Sequence, residues 1–295
     1  MTQKRSTTPH LSEHELSEIR ALIEKRSGIF LDASRERFFS TRIREHLKEQ
    51  RLAGGSDLLR SMQKSNVDYE AVLERLLTQE TSFFRYPAVY DALEKRVLPE
   101  MHLKKFWENP RSLRVWSAGC STGEEPYSIA VAIADALMFA DAWNIEILAT
   151  DISRHALKFA ERGVYSRRSL GNLDSRRIAA YFTSSGDHFC VKSRIRKMVS
   201  FAPMNLAQGV YVGRMDCIFC MNVMIYFSEE RRAALIQQFY EYLAPGGYLF
   251  LGHSESIARV SVKFQAIVLG DCILYRKPAA SAGSRPELAA VEERM

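Results

Sequence analysis

Leu113–Ser128 reads LRVWSAGCSTGEEPYS, a short apolar run that breaks into a glycine-bearing turn, two carboxylates and then a helix. Leu113 to Ser117 has the look of a strand, and a helix is predicted to start near Pro126, because a residue without an N–H fits a first helical turn. Between them, Gly119 and Gly123 allow the backbone to approach a nucleotide-like ligand that side chains would otherwise keep away. A two-glycine turn of this kind also serves plain packing. Where a phosphate-binding loop carries a basic residue or bare amides, this one offers Glu124 and Glu125, which repel anions and favour a cation.

Outward from this turn, strands and helices alternate. Strands are predicted at Leu113–Ser117, Ile145–Thr150, Met198–Ala202, Cys217–Cys220 and Tyr248–Gly252, with helices reaching Phe139 and Arg162 and another starting from Ser228. That alternation implies an α/β fold, a parallel sheet with helices on both faces. Phe264–Val268 and Cys272–Tyr275 flank Gly270-Asp271 as a terminal hairpin. Val164 to Arg196 is too long and polar for one loop and reads as an inserted subdomain of short strands.

Before Thr78 the pattern is helical. Ser12 and Glu15 have capping-box spacing ahead of Ile19, Leu22 and Ile23, and Gly28 ends that helix. A second helix from about Ser34 puts Phe39, Ile43 and Leu47 on one face and Arg35, Arg42, Arg44, Lys48 and Arg51 elsewhere. Ala53–Ser56 reads as a loop, with Leu58–Leu77 continuing in helical register. The expected organisation is a helical domain over 1–77, an α/β domain over 78–277 with the insertion at 164–197, and a mobile tail over 278–295, rich in Ala, Ser and Pro.

With 46% hydrophobic and 26% charged residues over 295 positions, the chain suits a soluble globular protein of two domains. Its five cysteines are scattered, mostly in apolar runs, which fits a reducing compartment better than a disulfide scaffold. MTQKRSTTPH lacks an apolar signal core, and Ile129–Ala140 contains Asp135 and is too short to span a bilayer, so no membrane insertion and a cytoplasmic location are expected. The net charge of +6 is concentrated: Arg162–Lys197 holds nine Lys or Arg against Asp174 and Asp187. Such a segment is either a docking face for an acidic partner or a solvated basic surface.

Asp151 closes ILATD, about 30 residues past the glycine turn, where a carboxylate can accept both ribose hydroxyls of a nucleoside. Its competing role, capping the next helix, can fall to Ser153. A nucleoside that also carries a cation is S-adenosylmethionine. Leu243–Leu251, LAPGGYLFL, is similar to the segment before the fifth strand of nucleoside-type methyltransferases, a helix end and tight turn into a strand. Cys217 and Cys220 have zinc-pair spacing, but three residues apart on a strand they face opposite sides, as buried thiols do. His253 in GHSES has no glycine–serine–glycine elbow before a helix and is read as structural or pocket-lining.

Thr81–Arg85 (TSFFR), Trp116–Ser128, Ala149–Ile152 (ATDI), Asn205-Leu206, Asn222–Phe227 (NVMIYF) and Gly252–Ser256 (GHSES) occur in an order that resembles the CheR family of chemotaxis receptor methyltransferases. The resemblance covers most of Thr78–Lys277. It implies a Rossmann-like S-adenosylmethionine-dependent methyltransferase sheet with a small all-helical N-terminal domain and an inserted small β-subdomain. The implied reaction esterifies glutamate side chains of methyl-accepting chemotaxis receptors and leaves S-adenosylhomocysteine.

By the same resemblance, Thr81 and Arg85 lie beside the cofactor at the domain junction, with Gly119 in the glycine turn, and Glu125 and Asp151 are cofactor-binding carboxylates. Asn205, Leu206 and Asn222 line the adenosine and methionine ends. Gln79 stands where the family usually has asparagine, and Met221 where arginine is frequent, so a backbone contact is what carries over there. Tyr226 is close to the transferred methyl and, with Arg85, positions the substrate carboxylate. Neither has to remove a proton, because a glutamate with a reference pKa of about 4.3 is already anionic. Alignment and dehydration of the nucleophile then carry catalysis, effects that lower barriers by roughly 7–11 kcal/mol.

The implied partner is the cytoplasmic helices of the receptor, met by the insertion and by the basic face of the second helix. A monomer is expected, and no nucleic acid. Two rivals remain at this stage: a nucleic-acid methyltransferase, against which Asn222-Val-Met-Ile-Tyr stands in place of an Asn-Pro-Pro-Tyr segment, and a non-catalytic S-adenosylmethionine-binding scaffold.

Overall fold

Ser12 accepts the Glu15 N–H while the Glu15 carboxylate returns to the Ser12 N–H, so α1 (Glu13–Ser27) starts on the reciprocal cap its spacing predicts and ends at Gly28. The computed structural model describes residues 11–77, 80–108, 111–209, 212–253, 255, 257 and 263–279. A 3₁₀ turn, Ala33–Arg35, precedes α2 (Glu36–Gln50), which therefore begins two residues after Ser34. Phe39, Ile43 and Leu47 are buried, and Arg42, Arg44, Lys48 and Arg51 are exposed, as the helical spacing requires.

Two local expectations change. Gly55 and Ser56 are not loop but the first turn of α3 (Gly55–Lys64), because Glu15 reaches across from α1 to accept both the N–H and the hydroxyl of Ser56 (2.8 and 2.6 Å). The single helix expected to Leu77 is two, since Ser65 is extended (φ −125°) and its hydroxyl caps α4 (Asn66–Leu76). Ile19, Ile23, Phe39, Ile43, Met62 and Val72 are among the residues of one core shared by the four helices.

Helices α5 (Pro87–Ala92) and α6 (Leu98–Lys104) are joined by a wider π-type stretch, Leu93–Val97, beside Pro99, which has no N–H to give to the turn before it. The chain then alternates through β1 (Arg111–Ala118), α7 (Glu124–Ala136), β2 (Trp143–Asp151) and α8 (Arg154–Arg162). The insertion follows as β3 (Val164–Ser166), α9 (Ser175–Tyr181), β4 (Phe182–Ser185), β5 (His188–Val191) and α10 (Ser193–Arg196). After it come β6 (Val199–Pro203), β7 (Met215–Cys220), α11 (Glu229–Tyr242), β8 (Leu243–Leu251), β9 (Gln265–Leu269) and β10 (Cys272–Arg276).

Seven strands form one sheet in the order β6-β2-β1-β7-β8-β10-β9, with the first five parallel and β10 antiparallel to both of its neighbours. From β1 the chain moves outward one way through β2 and β6, then returns to the other side of β1 through β7 and β8. That reversal opens a crevice at the carboxyl ends of β1 and β7, the place where open α/β sheets bind ligands. Side chains of β7 alternate between two cores: Cys217 and Phe219 pack with α7, and Ile218 and Cys220 with α11, so the two thiols are buried on opposite faces. Strand β8 begins five residues before Tyr248, because the chain pairs from Leu243 with a register shift at Met215/Cys217 and Lys277 returns to bond both Gly246 and Gly247.

The insertion makes a separate antiparallel sheet, β3-β5-β4, and contains two helices that the expected short strands did not include. Part of its basic character is used in holding it to the body. Arg176, Arg177 and Tyr181 converge on Asp135 of α7, Arg177 also meets Glu94, and Arg196 donates to the Glu161 carbonyl. Arg167, Arg168, Arg194 and Lys197 are exposed.

Candidate active site

The glycine turn closes tightly on the neighbouring strand. Gly119 sits at φ +91° and donates to the Thr150 carbonyl (2.8 Å), while a Cβ there would lie 2.3 Å from Val223 Cγ2. Only glycine meets both demands. Gly123, at φ +95°, caps α7, and Pro126 lies within the first turn. The turn, the ends of β2 and β7, and the Glu80–Tyr86 segment enclose a cavity of about 260 Å³ that Ser27, Ile29 and Arg35 roof from the helical side.

On the β2 wall, Asp151 is pre-set by two backbone donors, Ser121 N–H to Oδ2 (2.8 Å) and Ser153 N–H to Oδ1 (2.9 Å). Burial pushes its carboxyl above the usual range while these donors pull the other way. Ser153 itself caps α8 through its hydroxyl, so the helix does not need Asp151 as its cap. Beside it, Ser121 is held at φ +49°, and its Oγ is buried without a hydrogen-bond partner among the described residues. A buried hydroxyl of that kind is open to a ligand.

At the start of α7, Glu125 is buried and accepts one hydrogen bond from Ser117 Oγ (2.6 Å). Burial pushes its carboxyl up to about 8, with the charge of Glu255 adding and that of Arg85 opposing. Glu124 differs. It accepts from Thr122 Oγ1 (2.6 Å), is buried away from the cavity and does not line it, so of the two carboxylates expected to favour a cation only Glu125 faces the crevice.

The opposite wall is the loop after β7. Asn222 is left-handed (φ +62°), its side-chain Oδ1 accepts the Tyr86 hydroxyl (2.8 Å), and its N–H is held by Glu255 (2.8 Å). The same carboxylate accepts the N–H groups of Gly252 and Met224 (both 2.9 Å), bracing the whole turn. Tyr226 lies in a 3₁₀ turn, Met224–Tyr226; its carbonyl accepts the Phe30 N–H (2.7 Å), and the Arg35 guanidinium stands 5.2 Å over its ring. Arg85 donates to the Glu80 carbonyl (2.6 Å). Asn205 is tied to the helical region, giving Nδ2 to the Arg26 carbonyl (3.0 Å) and taking the Ala207 N–H at Oδ1 (2.9 Å).

Residues 79–270 match the CheR methyltransferase, SAM binding domain. The chain belongs to the CheR methyltransferase family. A chemotaxis protein methyltransferase of Vibrio parahaemolyticus is 34% identical over 90% of this chain and 98% of its own length. Chemotaxis protein methyltransferase 1 of Pseudomonas aeruginosa is 33% identical, covering 87% and 95%. A chemotaxis protein methyltransferase of Borreliella burgdorferi is also 33% identical, covering 84% and 90%. The CheR chain is an S-adenosylmethionine-dependent methyltransferase of chemotaxis. No described helix is long and apolar enough to cross a membrane.

In this CheR crevice, Thr81, Arg85, Gly119, Glu125, Asp151, Asn205, Leu206, Met221, Asn222 and Tyr226 all line one cavity, although they come from segments up to about 145 residues apart. Gln79 lies outside the described residues, as do Ser254 and Ser256 of the GHSES segment. His253 is exposed and does not line the cavity, so its reading as pocket-lining is corrected. Tyr86, Ser121 and Glu255 were not singled out, and Arg35 was read only as part of the basic face of the second helix, not as lining the cavity. Ser121 and Glu255 stand inside quoted motifs and could have been found there. Tyr86 and Arg35 carry no local signal, since their contacts are made across the fold.

Proposed function

We propose that this crevice binds S-adenosylmethionine and presents its methyl group to a glutamate carboxylate on the cytoplasmic helices of a methyl-accepting receptor. The donor supplies an activated methyl on a sulfonium. Asp151, with both oxygens already oriented by backbone donors, suits the ribose hydroxyls, and the unpartnered Ser121 hydroxyl lies at the same wall. Glu125 suits the cationic end. Asn205 and Leu206 serve the adenosine side, Thr81, Gly119 and Asn222 the rest of the lining, and Met221 contributes its backbone where the family often has arginine.

Arg85 and Tyr226 hold the incoming carboxylate. A carboxylate already ionised at neutral pH needs no base, so the work of these residues is to align the oxygen and to exclude water. The observation that carries the reading is the convergence of Glu125, Asp151, Arg85 and Tyr226 on one crevice at the reversal of strand order. Exposed Arg42, Arg44 and Lys48 on α2 and Arg51 just after it, with Arg168 and Lys197 of the insertion, favour an acidic receptor surface. The enzyme works as a cytoplasmic monomer.

Incubation with methyl-labelled donor and receptor fragments tests the proposal. Base-labile label on receptor glutamates is the expected product. In Tyr226→Phe, product binding stays within about twofold while transfer slows about tenfold or more, of the order of one interaction specific to the transition state. Unchanged turnover removes Tyr226 from the mechanism.

A further inference from the structure

Tyr86 makes two contacts on the same cavity. Its hydroxyl donates to Asn222 Oδ1 across 136 residues of sequence (2.8 Å), and the Arg85 guanidinium lies 5.5 Å over its ring. Asn222 has little freedom in its main chain, because Glu255 holds its N–H (2.8 Å) and its φ is +62°. The remaining freedom is rotation of the amide, whose two ends are nearly the same shape but opposite in hydrogen-bonding sense. The phenol O–H donates to Oδ1 and so holds the amide with its oxygen toward Tyr86. Arg85 is held in turn by its bond to the Glu80 carbonyl (2.6 Å) and by the ring beneath it. Tyr86 is half-buried and lines the crevice, and its position ahead of α5 involves no side-chain cap.

We infer that Tyr86 is a positioning residue for methyl transfer, its hydroxyl setting the amide of Asn222 for the donor and its ring setting the guanidinium of Arg85 for the acceptor. The inference rests on the binding roles proposed above for Asn222 and Arg85. It separates two functions within one side chain, and two substitutions separate them experimentally. Tyr86→Phe keeps the ring and removes the proton that orients Asn222. Tyr86→Leu removes both.

The full-length protein is titrated with S-adenosylhomocysteine by calorimetry, and receptor methylation is measured over a range of donor concentrations up to saturation. For Tyr86→Phe the product Kd and the donor KM rise together by about 2- to 12-fold, the range for one net hydrogen bond, and kcat stays within about twofold. Tyr86→Leu shows the same binding loss and a kcat lowered by at least about tenfold as Arg85 loses its support. In an Asn222→Ala background, Tyr86→Phe causes no further loss of binding, because the two act as one unit. A Tyr86→Phe protein that binds product like wild type while Asn222→Ala is weakened overturns the inference alone, as does a loss that is additive with Asn222→Ala. An Asn222→Ala protein that binds product normally overturns the assignment of Asn222, and the inference with it.

Discussion

Cofactor affinity should rise about tenfold between pH 6 and 7 and about fivefold between pH 7 and 8, because Glu125 has to lose a proton before it can meet a cation. Its carboxyl is buried, receives a side-chain hydrogen bond from Ser117, and is pushed up to about 8 chiefly by burial. At pH 7 a group of that kind is ~90% protonated, and each pH unit below its pKa adds about 1.4 kcal/mol to the free energy of ionising it. A ligand ammonium or sulfonium beside Glu125 favours the charged form, so binding near pH 7 releases close to one proton per site. Calorimetric titration with S-adenosylhomocysteine in buffers of different ionisation enthalpy, at pH 6, 7 and 8, counts that proton directly. Glu125→Gln should abolish the slope. The same linkage acts on stability: the unfolded carboxyl ionises near 4.5 and the folded one near 8, so the native state holds more protons in that window and loses stability as pH rises through it. Affinity that is flat from pH 6 to 8 with no proton released would refute the placement of Glu125 against a cation.

Gly119→Ala should lower the melting temperature and weaken product binding more than tenfold, since the new Cβ meets Val223 Cγ2 at 2.3 Å in a left-handed turn, strain worth about 1–3 kcal/mol. Normal product binding by that variant would contradict the crevice geometry. Lys105→Met should cost about 3–5 kcal/mol in urea unfolding, because Lys105 Nζ and Asp216 form a buried ion pair (2.7 Å) and among the described residues the remaining carboxylate keeps only the Arg114 N–H (2.9 Å). A loss under about 1 kcal/mol would mean that water reaches Asp216.

Much of this enzyme was legible before any fold was known, and for local reasons. The caps at Ser12, Ser153 and Ser228 and the β–α alternation around the glycine turn arise from contacts within a few residues, which spacing alone reports. Gly119, Glu125 and Asp151 stood out from the residues themselves, whereas Thr81, Arg85, Asn205, Asn222 and Tyr226 came from the resemblance to the CheR family, and all of them share one cavity. Other features could not be read along the chain. Glu124 and Glu125 are neighbours of identical chemistry, and successive helical positions point about 100° apart, so the packing of α7 on the sheet decides which of them faces the crevice. The start of α3 depends on Glu15 reaching Ser56, and the early start of β8 depends on Lys277 returning to Gly246 and Gly247. Tyr86 on Asn222, Arg35 over Tyr226 and Asn205 on the Arg26 carbonyl each join residues more than 130 positions apart. Short-range physics thus determined the elements and the residue types available for chemistry, whereas the orientation of those residues toward one another followed from long-range burial and hydrogen bonding that exist only once the helical roof closes on the sheet.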